Sequence, residues 1–191
     1  MTPAPVRDER QDAILAAAAE LIASEGVDAV SMQELAKRTG LSRPAIYQYF
    51  ASREHVLAEL VINELADLSN AIDEHIAKLD EPLERVRVWV HYSLAHLASS
   101  EHRAIRDISI SSLPEDTRGM VRAMHGHFMM ALINPVTQLG VRDVTATCHL
   151  LYAAVAEAAK RIDESSEYVR EAAALEQFAI NGIIGALRPA N

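Results

Sequence analysis

A single cysteine, Cys148, in 191 residues excludes an internal disulfide and any cysteine-based zinc cluster. Set in the apolar stretch TCHLLYAAVAEAA, this thiol is expected to pack and not to sense redox state. Long hydrophobic runs are missing as well. No stretch of about 18 uncharged apolar residues is available to span a bilayer, and no charged-then-apolar start reads as a secretion signal. The chain is therefore expected to be cytoplasmic and to have no membrane partner. Glycine-rich phosphate loops, nucleophile elbows and zinc-protease motifs are also absent, and the carboxylates fall at helix-surface spacings. No catalytic residue is assigned and an enzyme is not expected. Eight histidines are present, but His91 and His96 are five apart, His125 and His127 two apart, and His149 has no histidine or carboxylate three or four residues away. One helix face needs spacings of three or four, so no metal site and no cofactor are expected.

What the chain does have is apolar content, 50 %, sufficient to fill a core, in a protein of net charge −9. The periodicity is helical throughout and strand signals are lacking, so the fold class is all-α. An arm, MTPAPVRDER, is expected to be unstructured until about Asp8, with Arg7 or Arg10 available to a phosphate. A first helix follows to Glu25, its buried stripe Ile14, Ala17, Ala18, Leu21 and Ile22, with Gly26 ending it.

The segment SMQELAKRTGLSRPAIYQYFASR, residues 31–53, reads as a helix-turn-helix. Ser31 is the first N-cap and Glu34 its capping-box partner, with Leu35 and Ala36 facing inward. Gly40 supplies the left-handed turn residue, four residues after the small Ala36, where close helix contact is anticipated. Ser42 caps the second helix. Ile46, Tyr49 and Phe50 form its inner side at i, i+3 and i+4, which leaves Arg43, Pro44, Ala45, Tyr47 and Gln48 outward. Pro44 is tolerated in the first turn because the N–H it lacks has no intrahelical partner there. Between Ala36 and Arg53 stand Lys37, Arg38, Arg43 and Arg53 with no acidic residue, a local +4 in an acidic chain. That excess points to phosphate neutralisation, and hence to double-stranded operator DNA as a partner.

The first ~60 residues resemble the DNA-binding domain of the TetR family of bacterial transcriptional regulators. The family pattern runs Gly-hydrophobic-Ser-x-x-x-hydrophobic-Tyr-x-Tyr-Phe-x-Ser-Lys-x-x-Leu, and the chain has GLSRPAIYQYFASREHVL. Arg53 stands in place of the usual Lys, and Pro44-Ala45 in place of a frequent Gly-Thr pair, so the operator sequence does not carry over. Arg43, Pro44 and Ala45 are expected at base edges. Ser31, Gln33, Ser42, Tyr47, Gln48, Tyr49 and Arg53 complete the expected DNA surface, chiefly through the phosphate backbone.

Residues 1–53 carry six basic and seven acidic side chains, which leaves twelve and twenty for 54–191. The domain division is accordingly placed at 53/54: a three-helix DNA-binding domain, then an all-helical effector-binding and dimerisation domain. Helices are expected at 52–79 (linking the domains and serving as a lever), 82–99, 101–113, 114–139 (with a bend at Pro135), 141–162 and 167–187. The last two are rich in Ala and Gly and allow close helix approach. Leu151, Val155, Leu175, Phe178, Ala179, Gly182 and Ile183 are assigned to a homodimer interface, which the resemblance implies is a four-helix bundle.

The middle helices are where the resemblance implies an effector pocket. Met120, Met124, Phe128 and Ala131 share one helix face, flanked by His127, and Val88, Tyr92 and Ala95 form a facing stripe with Trp89 or His96 beside it; the ligand expected is small and apolar or amphipathic. Glu157 and Asp107 are expected in ion pairs. The function that emerges is a homodimeric, ligand-responsive transcriptional regulator, expected to be a repressor released from its operator by the effector. The alternatives are a DNA-binding regulator without a small-molecule effector and, more remotely, an all-α enzyme or lipid carrier using the C-terminal cavity.

Overall fold

The computed structural model describes residues 9–106, 108 and 110–187; the N-terminal arm with Arg7, and Asp107, lie outside the described residues. Every element named below is a helix, and no strand occurs among the described residues, where the extended pairing is limited to an isolated bridge between Val141 and Leu187. The all-α class read from the sequence is the class observed. The chain forms two units, whose division differs from the expected cut at residue 53. One contains the residues up to Glu64 together with Ser100–Val121, and the other Leu65–Ser99 and the residues from Arg122 onward.

In the first unit, α1 (Glu9–Glu25) buries Ile14, Leu15, Ala17, Ala18, Leu21 and Ile22, a stripe at helical spacing. Gly26 ends it at φ +89°, a conformation costly for any residue with a Cβ, and its N–H reaches the Ile22 carbonyl at 2.9 Å. A 3-10 turn, Val27–Ala29, leads to α2 (Met32–Thr39) and α3 (Arg43–Tyr49). Then α4 (Arg53–Ile76) begins, buried through Val56, Leu57 and Ala58. The short α6 (Ser100–Ile105) packs on α1, while α2 packs on both α1 and α3. The single helix expected over 101–113 is not formed: α6 stops at Ile105 and a separate 3-10 turn covers Ile110–Ser112.

The second unit holds the end of α4, α5 (Pro82–Leu97), α7 (Glu115–Gln138) from Arg122 onward, α8 (Val144–Ser165) and α9 (Tyr168–Ala186). Its core gathers Ile72, Val86, Trp89, Leu94, Phe128, Leu132, Val136, Leu151, Val155, Leu175 and Ile183. Asp143 caps α8 by accepting from the Ala146 N–H at 2.9 Å, and Ser166 closes it with a left-handed residue at φ 60°. Helix α7 continues through Pro135 to Gln138, although proline has no N–H to close on the Ala131 carbonyl.

Candidate nucleic-acid interface

The two helices of the candidate reading unit are capped as their residue types dictate. The Ser31 hydroxyl accepts from the Glu34 N–H at 3.1 Å, and Ser42 from the Ala45 N–H at 3.3 Å. Between them Gly40 sits at φ +68°, which is why glycine belongs there; a Cβ added at this position would meet nothing within 4 Å, so the close helix contact anticipated from Ala36 plays no part. Leu35 and Ile46 are fully buried and Phe50 nearly so, which fixes the roll of α3. That roll leaves Arg43, Pro44, Tyr47 and Gln48 exposed, with Ala45 and Tyr49 half-buried at the edges. Ser31, Gln33 and Ser42 are exposed as well.

Charge is distributed differently from the +4 expected. Glu34 lies 3.5 Å from both Lys37 and Arg38, and Glu25 is 2.6 Å from Arg38. Arg53 pairs with Asp28 at 3.6 Å and Glu54 at 3.8 Å. The four acids stand just outside the window that was counted, and folding returns them to the bases. Among the described residues, Arg43 is the basic side chain of this group with no carboxylate partner; its guanidinium lies 5.8 Å over the Tyr47 ring, and its Nη2 is 3.5 Å from that hydroxyl. The cation free to meet DNA is therefore carried by the exposed first turn of α3.

Arg53 also differs from expectation. Its Nε donates to the Val30 carbonyl at 2.8 Å and its Nη2 to the Val27 carbonyl at 2.7 Å. These bonds tie the start of α4 to the turn that precedes the Ser31 cap, which makes Arg53 a positioning residue for the reading unit. Charge-assisted bonds of this kind contribute about 1.5–3 kcal/mol each. Beside it, Glu54 is held below the usual glutamate range by its own backbone N–H, then by the Ser52 hydroxyl, with smaller help from Arg53 and His55 against the cost of burial.

The remaining expected site residues divide sharply. Leu151, Val155, Leu175, Ala179 and Ile183, expected at a subunit interface, are buried in the core of their own chain, a correction to that assignment; Phe178, 58 % exposed, and Gly182 are the members left on the surface. The exposed side of the same helices carries Leu150 at 67 %, Ala153, Glu157, Ala174 and Phe178. Glu171 is buried and ion-paired to Arg161 at 2.9 Å.

The residues expected around an effector do not gather as one wall. Trp89 and Phe128 stack in the core with ring centroids 4.9 Å apart, and the indole N–H donates to the Phe128 carbonyl at 3.1 Å. Met120 belongs to the first unit and is 52 % exposed; Met124 and His96 are half-buried. The Tyr92 hydroxyl lies 2.6 Å from His75 Nε2, and His75 Nδ1 donates to the Ala71 carbonyl at 2.7 Å. His127, 2.8 Å from Asp73, is the one expected residue that lines a described groove, of about 520 Å³, among Asp73, Ile76, Arg85, Met130 and Gln138. Arg85, Asp73 and Gln138 carried no sequence signal for such a place.

Residues 14–60 match the family described as bacterial regulatory proteins, tetR family. Over those residues the chain is similar to that family. The chain is 33 % identical over 88 residues to the HTH-type transcriptional regulator EthR of Mycobacterium tuberculosis, covering 46 % of this chain and 40 % of that protein. It is 30 % identical over 84 residues to the HTH-type transcriptional activator FasR of Mycolicibacterium smegmatis, covering 44 % and 38 %. The matches thus span about half or less of the curated relatives' length. In fold, the chain is similar to the transcriptional regulator FadR of Bacillus subtilis, solved with stearoyl-CoA, at a TM-score of 0.76 and 17 % identity, covering 90 % of this chain and 98 % of that one. The matched segment takes in α2, α3 and the start of α4, the helices whose geometry is given above.

Proposed function

We propose that this protein is a homodimeric transcriptional regulator that represses by occupying operator DNA and is released by a small-molecule effector. The observation that carries the reading is α3 itself: a capped helix rolled by Ile46 and Phe50 so that Arg43, Pro44, Tyr47 and Gln48 stand outward, in a segment similar to the tetR family. Such a first turn fits a major groove, where Arg43 offers a bidentate contact to guanine and Tyr47 and Gln48 reach phosphates.

One seven-residue helix buries too little for operator specificity, and two-fold dimers read half-sites about 34–36 Å apart. Dimerisation is supported by the exposed Leu150, Ala153, Ala174 and Phe178, apolar and small side chains left outward on α8 and α9. The effector part of the reading is supported by Ser69 and Ser93 of the second unit, buried hydroxyls with no hydrogen-bond partner among the described residues. Unsatisfied buried hydroxyls mark places where a ligand group or water is accepted. An effector lowers DNA affinity only by its differential affinity for two conformations, and α4 and α7, each with residues in both units, are covalent routes between them.

The test is anisotropy titration of the purified chain with duplex DNA from the region upstream of its own gene, across a salt series. Tight, salt-dependent binding that competitor DNA does not displace is expected; equal affinity for all duplexes would remove the operator reading. Retention of the same complex in the presence of every candidate effector would favour the effector-free regulator.

A further inference from the structure

Six guanidinium groups described in this acidic chain, those of Arg38, Arg53, Arg87, Arg118, Arg161 and Arg170, meet a carboxylate. Arg85 is held differently. Its Nε donates to the Leu79 carbonyl at 2.8 Å and its Nη1 to the Gln138 side-chain oxygen at 3.5 Å, two neutral acceptors. The bonds fix the group in place, half-buried on the wall of the 520 Å³ groove, with no carboxylate in ion-pair contact among the described residues. A guanidinium pre-positioned by neutral partners is the arrangement that binds a carboxylate or phosphate with least ordering cost.

The rest of the groove has a direction. Along α7, His127, Ala131, Asn134 and Gln138 recur at spacings of three and four, one face of the helix over roughly 16 Å at 1.5 Å per residue. Gln138, with Arg85, marks one end. Its amide oxygen faces Arg85, so its NH2 adds a donor there. At the other end the Asp73 carboxylate is bonded to His127, which occupies the one acidic group of the lining. Between the ends the wall combines the apolar Ile76, Met130, Ala131 and Pro135 with the polar Asn134 and Thr137. We propose that this groove of the second unit binds a small amphipathic organic anion, its charged head on Arg85 and Gln138 and its apolar body along Ile76, Met130 and Pro135. The volume lies within the range of small-molecule sites. For its regulatory consequence the proposal rests on the effector reading above; as a binding site it stands by itself.

The experiment is an NMR titration of the full chain with octanoate, without DNA, following the Gln138 side-chain amide and the His127 ring, with octylammonium and octanol as comparators. Saturable shifts of both groups by octanoate, and none by octylammonium, are expected. Arg85→Gln should weaken octanoate at least tenfold. Because Arg85 also ties down the Leu79 carbonyl, a second variant leaves it intact: Gln138→Glu gives Arg85 a carboxylate partner and should weaken octanoate by a similar factor with helicity unchanged. Equal binding of the three amphiphiles, shifts confined to other residues, no saturable shift in the unaltered chain, or unaltered octanoate affinity in Gln138→Glu would each overturn the proposal. Operator affinity is measured separately, so failure to bind DNA counts against the function and not against the groove.

Discussion

The helix pair α2–α3 and the helix pair α8–α9 were both evident as helices, yet the outward face was foreseen for the first and misjudged for the second. In α3 the apolar side chains that pack, Ile46 and Phe50, alternate with polar and charged ones, so one roll buries oil and exposes hydrogen-bonding groups. In α8 and α9 alanine and leucine occupy several sides, as at Leu150 and Leu151, and the pattern admits more than one roll. The chain uses Leu151, Val155, Leu175 and Ile183 for itself and turns Leu150 and Phe178 outward. An apolar stripe reports that a helix packs; which partner it packs against depends on the other helices.

The largest expected effect separates the two faces of α8 and α9. Leu151→Ala should cost about 2–5 kcal/mol of unfolding free energy by leaving a core cavity. Phe178→Glu should leave the monomer's stability within roughly 0.5 kcal/mol, as exposed substitutions do, while shifting the proposed dimer toward monomers and weakening operator binding. Denaturant titration and sedimentation read both; loss of stability in Phe178→Glu, or dimers lost in Leu151→Ala with stability intact, would reverse the assignment of faces.

Arg53→Ala comes next, with an expected loss of about 2 kcal/mol, because the Val27 and Val30 carbonyls lose charge-assisted partners. Arg53→Lys should recover only part, since one ammonium cannot reproduce the spread of the guanidinium donors. A stability unchanged by either variant, with operator binding weakened at every sequence, would return Arg53 to the phosphate backbone.

Arg43→Ala should reduce operator affinity by about 1–3 kcal/mol and relax preference at one base pair, without changing the melting temperature. Competition against single-site operator variants checks it; unaltered affinity and preference would move base reading to another side chain.

The smallest effects concern titration and reactivity. Glu54 has a lowered value in the folded chain, so it adds stability above the ordinary glutamate range, and that stability is lost as pH falls through the folded value. Ser52→Ala, which removes one of the lowering hydrogen bonds, should move the acid-unfolding midpoint slightly upward; a downward shift would contradict the assignment. Burial raises the Cys148 thiol to about 11, so a thiol reagent at neutral pH should label the chain only as it unfolds, and rapid labelling of native protein would show the site to be open.

Local chemistry made much of the fold and of the reading helix legible. Ser31, Ser42 and Gly40 announce caps and a turn through bonds made within four residues, and the tetR-like run from Gly40 onward falls on those same positions. The charge surplus was misread because it was counted along the chain, whereas Glu25, Asp28, Glu34 and Glu54 meet the bases only in the folded unit. The effector wall was misread for a related reason: Met120 and Phe128 share a helix face yet fall in different units, and Trp89 spends its indole on the Phe128 carbonyl.

By itself, then, the sequence determined the helical class, the caps and turn of the reading unit and the outward position of Arg43, since each depends on interactions within one or two helical turns. Only the tertiary structure decided which carboxylate each cation meets, that Arg53 binds carbonyls, that Arg85 is held by two neutral acceptors, and which side of α8 and α9 is the core. Those outcomes depend on groups brought together from distant positions, and no local periodicity encodes them.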